Sequence, residues 1–177
     1  MPPQPEGLWR STYNGMKWVN AEGEDRYRRA LYTYLKRTTP YPSMLTFDGG
    51  SGEVCQIRRI RTNTPLQALV TLNDPVFLEA AAALASKVGS HSGSVEDRAV
   101  FAMQTVLVRP VVNTEARPLV ALYNDILQEM ESQPLKAQRL IQSTRATKPQ
   151  SLTPEEFAAW VVVASATMNL DEFLTRN

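Results

Sequence analysis

Three times in this chain a Thr or Asp stands directly before a proline and a helix-forming run: Thr64-Pro65-Leu66-Gln67, Asp74-Pro75-Val76-Phe77 and Thr153-Pro154-Glu155-Glu156. Proline at the first helical position loses nothing, because its missing N–H would have no partner within the helix, and its fixed φ suits the turn. The oxygen of the preceding Thr or Asp accepts from one of the orphan amides of the first turn. Gln67 and Glu156 stand three residues after their threonines and complete capping boxes. A chain that starts its helices this way, and has apolar runs behind each start, is committed to a mostly α fold.

Those runs are "VFLEAAAALASKV", ending at Gly89, and "FAAWVVVASATM", Phe157 to Met168. Between them, Ser94 is an N-cap for a helix over 95–108, with Val95, Ala99, Ala102, Met103 and Val106 on its inner face. Thr114-Glu115 opens another over 115–132, with Pro118 early enough to be tolerated. Residues 133–152 are polar and poorly periodic apart from a turn at "KAQRLIQS", and Asn169 suits a helix end. Toward the N-terminus, Trp9 and Trp18 flank Asn14-Gly15, a dipeptide that favours tight hairpins. Tyr27, Leu31, Tyr34 and Leu35 share a stripe, which predicts a helix over 24–37, closed by Thr39-Pro40-Tyr41-Pro42. "MLTFDGGSGE" reads as a loop. The expectation is a single irregular helical domain over 1–177 of about five to six helices: an extended or β-hairpin arm at 1–23 and a helical body at 24–177.

Composition excludes several classes of function. The 19 Lys and Arg against 18 Asp and Glu leave a net charge of +1, so no global field argues for nucleic acid. Cys55 and His91 stand alone in their kinds, which rules out an intrachain disulfide and argues against a Cys/His zinc site or a C-x-x-C-H haem attachment. No metal or cofactor is therefore expected on this chain. His91 lies in "GSHSG", read as an exposed linker, and Cys55 reads as a small buried hydrophobe rather than a reactive thiolate. The longest apolar stretch, Phe157 to Met168, falls short of the ~20 residues of a membrane-spanning helix. The N-terminus lacks the basic patch and apolar run of a signal peptide, and its Met-Pro-Pro-Gln-Pro opening reads as a linker already in mid-course.

The candidate site is the polar knot "CQIRRIRTNTPLQALVTLNDP" with the acidic residue before it. Asp48, Arg58, Arg59, Arg61, Asn63, Asn73 and Asp74 are its candidate binding or structural residues. Guanidinium groups fork onto oxyanions, so the arginines could bind a carbohydrate or anionic ligand. They could equally bond loop carbonyls and helix C-termini inside the fold. Asp48 and Asp74 could do acid/base chemistry, yet Asp74 reads first as a helix cap and Asp48 as a turn cap. No residue is assigned as catalytic, and "GGSG" lacks the lysine of a phosphate-binding loop.

The order of these residues carries a resemblance. "DRYRRALYTYLKRTTPYPSMLTFD", "EVCQIRRIRTNTPLQALVTLNDPVFLEAA" and "NLDEFLTR", with a looser "LVRPVVNTEARPLVALY" between, resemble the planctomycete-type family called domain of unknown function 1553, in register from about Pro3 to Arg176. "RTNTPLQAL" and "LNDP" are its most specific parts. They place Arg58, Arg59, Arg61, Thr62, Asn63, Thr64, Pro65, Gln67, Asn73, Asp74 and Pro75 on the family motif without assigned roles. The resemblance implies the C-terminal portion of a longer domain within a larger exported protein, periplasmic or extracellular, often with a cytochrome c-like domain upstream. The function it implies is a binding or assembly module, with those upstream domains as partners and any haem held elsewhere. The alternative is part of a polysaccharide-acting enzyme whose site is completed by the missing N-terminal region.

The arginine segment yields a test. On an extended strand Arg58 and Arg59 point to opposite faces, so both cannot serve one outside ligand. A guanidinium turned inward needs acceptors for up to five donors, and removing a buried partner of this kind costs about 3–5 kcal/mol. At least one of Arg58→Ala, Arg59→Ala and Arg61→Ala is expected to cripple folding, read by thermal melting. Three variants as stable as the parent would refute the internal role.

Overall fold

The computed structural model describes residues 19–35, 40–50, 57, 62–144 and 146–175. The chain divides into two compact units, 1–62 and 63–177. Among the described residues there are eight α-helices, two short 3-10 turns and no strand, so the mostly helical expectation holds. The hairpin expected around Asn14-Gly15 lies outside the described residues.

In the first unit, the helix predicted over 24–37 does not form across 24–35. In its place stand 3-10 turns at Gly23–Tyr27 and Ala30–Tyr32, separated by extended backbone at Arg28 and Arg29. The expected apolar stripe is not buried: Tyr27, Leu31, Tyr34 and Leu35 are all exposed. An isolated helix of this length is marginal in water without a packed face, and its Tyr and Thr residues are mediocre helix formers. α1 (Pro42–Thr46) makes one helical turn, opened by Pro42 at its first position and running into the start of the stretch read as a loop.

The second unit is built around one helix. Its elements are α2 (Pro65–Asn73), α3 (Pro75–Ser90), α4 (Val95–Leu107), α5 (Asn113–Ser132), α6 (Pro134–Ser143), α7 (Pro154–Thr167) and α8 (Asp171–Leu174). α7 packs most extensively on α3 and α5, then on α6, with smaller contacts to α4 and α2. Its sequence explains this position: "FAAWVVVASAT" is apolar on every side, so no face wants water. Phe157, Ala158, Ala159, Trp160, Val161, Val163, Ala164 and Thr167 are buried. α3 answers with a face of small residues, Ala81, Ala82, Ala85, Val88 and Gly89, all fully buried.

The predicted starts are present. Thr64 Oγ1 accepts from Gln67 N at 3.3 Å while Gln67 Oε1 accepts from Thr64 N at 2.7 Å. Thr153 and Glu156 make the same reciprocal pair at 3.1 and 2.7 Å. Ser94 and Asp97 do so at 3.2 and 2.9 Å. Asp74 Oδ1 accepts from Val76 N at 2.8 Å, and there the chain turns from α2 into α3 through a bend of 65°. α5 runs continuously through Pro118 from a start two residues earlier than expected. α6 is a ten-residue helix where the sequence suggested a turn. Its start has no side-chain cap, only Pro134 at the first position, and it buries Ala137 with Leu140 and Ile141 partly covered.

His91 is no free linker: its ring stacks on Phe101 of α4 at 4.2 Å with 4° between planes, and its carbonyl accepts from Arg98 Nε at 3.1 Å. The segment from 144 to 153 returns along α3. Ser86 Oγ donates to Thr147 O at 2.9 Å and Ser151 Oγ to Gly89 O at 3.0 Å. Gly89 lets this segment approach, because a Cβ there would stand 2.5 Å from Leu152 Cδ1 and 3.2 Å from Pro149 Cγ. Gly89→Ala, ordinarily favourable in a helix, is therefore expected to destabilise the protein by about 1–3 kcal/mol, the cost of overpacking, measured by denaturant unfolding.

Candidate functional site

The described residues of the polar knot each have their own partner within their unit. Asp48, in the first unit, closes the neck of the arginine-bearing segment: its carboxylate accepts from Thr62 N at 2.8 Å and from Thr62 Oγ1 at 2.9 Å. To do so its backbone adopts φ 58°, a left-handed conformation that Asp tolerates better than most residues. Arg58, Arg59, Arg61 and Cys55 lie outside the described residues. In the second unit, Asn63 and Asn73 flank and end α2, about 15 Å apart at 1.5 Å per residue. Asn73 Nδ2 donates back to Leu69 O at 2.8 Å. Asp74 caps α3, and Asn63 donates to the Asp171 carboxylate.

Asn63 instead belongs to a different convergence, one centred on residues 169–175. Thr71 Oγ1 of α2 lies 2.8 Å from Asn169 Oδ1 and donates there or to the Ala68 carbonyl at 2.9 Å. Arg109, on the connection between α4 and α5, forks onto Glu172: Nε meets Oε1 at 2.5 Å and Nη2 meets Oε2 at 2.9 Å. The same Nη2 reaches Glu115 Oε2 at 2.7 Å. Glu115 Oε1 in turn accepts from Val112 N at 3.3 Å at the start of α5, where Val112 has no side-chain oxygen of its own to cap with. Thr175 Oγ1 bonds Asp171 Oδ1 at 3.0 Å. Three parts of the second unit, the lead into α2, α2 itself and the α4–α5 connection, thus hold the same seven residues with polar side chains.

Sequence reasoning missed this clasp. Arg109 and Glu172 are 63 positions apart and Asn63 and Asp171 108 apart, so no local periodicity links them. The only local signal was Arg109-Pro110 followed by Glu115. The backbone just before Arg109 is strained: Val108 sits at φ 55°. A β-branched residue is a genuine outlier there, at a cost of order 1–3 kcal/mol. That turn ends α4 and leads directly into Arg109.

The electrostatics follow from the geometry. The Arg109 guanidinium holds both the Glu172 and the Glu115 carboxyls below the ordinary carboxyl value, and Glu115 is lowered further by its bond from the Val112 amide. Arg109 is itself raised by the two carboxylates. Among the described residues no three His, Cys, Asp or Glu side chains are grouped to hold a metal ion. In chemical terms the cluster is an ion-paired junction in which one guanidinium is shared by two carboxylates.

Carboxyls whose folded-state values are depressed contribute stability that is present above the ordinary value of 4.5 and lost as pH falls through the folded values. Melting temperature should therefore fall as the solution is acidified below about 4.5, and part of that slope should vanish in Arg109→Gln. An Arg109→Gln variant with the parent's full acid slope would show that the ion pairs contribute nothing to it.

Comparison with known proteins agrees with the motif reading and narrows its extent. The model for a family of proteins of unknown function, PSD1 (DUF1553), matches residues 1–123. The match takes in the knot, Arg109 and Glu115. The resemblance read through to Arg176 runs beyond it. No curated protein and no solved structure matches the chain. With well over half its length covered by that model, the chain belongs to the DUF1553 family of proteins of unknown function.

Proposed function

We propose that this chain is a binding or assembly module of a larger exported, cytochrome c-associated protein, and that it performs no catalysis in isolation. On this reading its partners are the upstream domains of the parent protein, including a cytochrome c-like domain that carries the haem, in the periplasm or outside the cell. The chain itself holds no cofactor. Arg58, Arg59 and Arg61 remain the candidate contact for a carbohydrate or anionic ligand, with Asp48 closing the segment that presents them.

The observation that carries the reading is the inverted character of α2. It buries Gln67 and Thr71 and turns Leu66, Leu69 and Leu72 outward, at 59%, 56% and 47% exposure. These three positions follow one another at three-residue steps and share a face of the helix. Isolated exposed leucines are ordinary, but a row of them on a helix whose polar residues point inward is what an interface helix presents. α2 carries no charged residue at all, as suits a surface covered by another folded body. The described members of the knot within this unit, Asn63, Asn73 and Asp74, are engaged in holding the fold, which fits a scaffold better than a reacting centre.

The test is binding of this chain to a separately produced upstream part of its parent, measured by calorimetry. Association is expected, and Leu69→Glu is expected to weaken it about tenfold or more, as for an apolar anchor at an interface, while circular dichroism stays unchanged. Absence of association, or association indifferent to Leu69→Glu, would overturn the proposal.

A further inference from the structure

We infer that residues 169–175 are a strap that opens as a unit, separately from the helical body, and that the Arg109 ion pairs control the opening. The strap contains α8, four residues long, far below the length at which a helix holds by itself. Its backbone bonds are all local: Phe173 N and Leu174 N donate to Leu170 O at 3.0 and 3.2 Å, and Thr175 N to Asp171 O at 2.8 Å. Two more, Asn169 N to Ala166 O at 3.1 Å and Leu170 N to Thr167 O at 3.3 Å, join its start to the last turn of α7. Past that junction the body holds it through side chains, by the Thr71, Asn63 and Arg109 contacts described above and by Leu170 and Phe173, each only partly buried against the core.

Such a segment lies at the low end of the local stability scale, where few buried apolar groups resist opening. α7, which directly precedes it, lies at the opposite end, since its side chains are buried nearly all round. A boundary in stability therefore falls between Thr167 and Leu170. The lock on the strap is electrostatic and exposed: Glu172 is 51% and Arg109 35% accessible at the side chain. Exposed pairs are weakened by dissolved ions. The strained Val108 stands directly before Arg109, so opening the clasp frees the connection to relax, which favours two discrete states over gradual loosening. The open state uncovers the surface beneath Leu170 and Phe173 and leaves Thr71 and Asn63 without their strap partners.

Hydrogen exchange on the intact chain, followed by mass spectrometry, tests this. Raising salt from about 0.01 M to about 1 M shortens the screening length from ~30 Å to ~3 Å. Amides of 170–175 are expected to exchange about three- to tenfold faster at high salt, a range set by exposed ion pairs acting together, with those of 157–167 unchanged. Arg109→Gln and, as an independent variant, Glu172→Gln should speed exchange in the strap at low salt and abolish most of its salt response. The inference is overturned if strap amides exchange only at the rate of α7, if both variants accelerate α7 equally, or if salt leaves the strap of the parent chain unaffected.

Discussion

Burial of α7 is the constraint on which the second unit depends. A fourteen-residue helix with no polar face must be surrounded, and α3, α5 and α6 are arranged to do that. Each long buried side chain contributes about 1.5–3 kcal/mol by leaving water, and Phe157 and Trp160 are the largest of them. Trp160 packs on Tyr123 of α5, ring centres 4.5 Å apart and tilted by 31°. Its Nε1 is buried without an acceptor in hydrogen-bond geometry, a cost tolerated because the ring fills the space between α5 and α7. Burial also raises the Tyr123 hydroxyl above the ordinary phenol range, as expected for a group held inside this core.

Around that core, polar side chains act mostly on backbone ends. Thr64, Asp74, Ser94 and Thr153 each supply an oxygen to the first turn of a helix. Lys148 Nζ donates to the carbonyls of Pro149 and Leu152 at 3.0 and 2.6 Å, where the returning segment would otherwise leave acceptors unmet. The family motif thus has a physical rationale where it is described: "TNTP" and "NDP" start α2 and α3 and set the bend between them. Such caps fix the direction in which the two helices leave the bend.

How much was legible differs by element. The starts at Thr64, Asp74, Ser94 and Thr153 could be read because a cap is a matter of three or four neighbouring residues. The helix over 24–37 could not be judged from its stripe, since a stripe states what a helix would bury and not whether anything is there to bury it against. α6 was hidden for the converse reason: lacking a side-chain cap, it stands on Pro134 and on the covering of Ala137. His91 looked free in a small-residue loop until Phe101, ten residues on, brought an aromatic face against it. Of the candidate site, the capping role of Asp74 was readable. The pairing of Asp48 with Thr62 was not, and the Arg109 clasp was invisible.

The sequence alone determined the helical class, the four capped starts and the family, because each follows from the order of near neighbours or from composition along one element. Tertiary structure decided which predicted helix found a partner, which apolar row stayed in solvent on α2, and which charges met across 63 positions at Arg109 and Glu172. The physical reason is one of range. Capping and periodicity act within a turn or two of backbone, whereas burial and ion pairing depend on what the rest of the chain brings within a few ångströms.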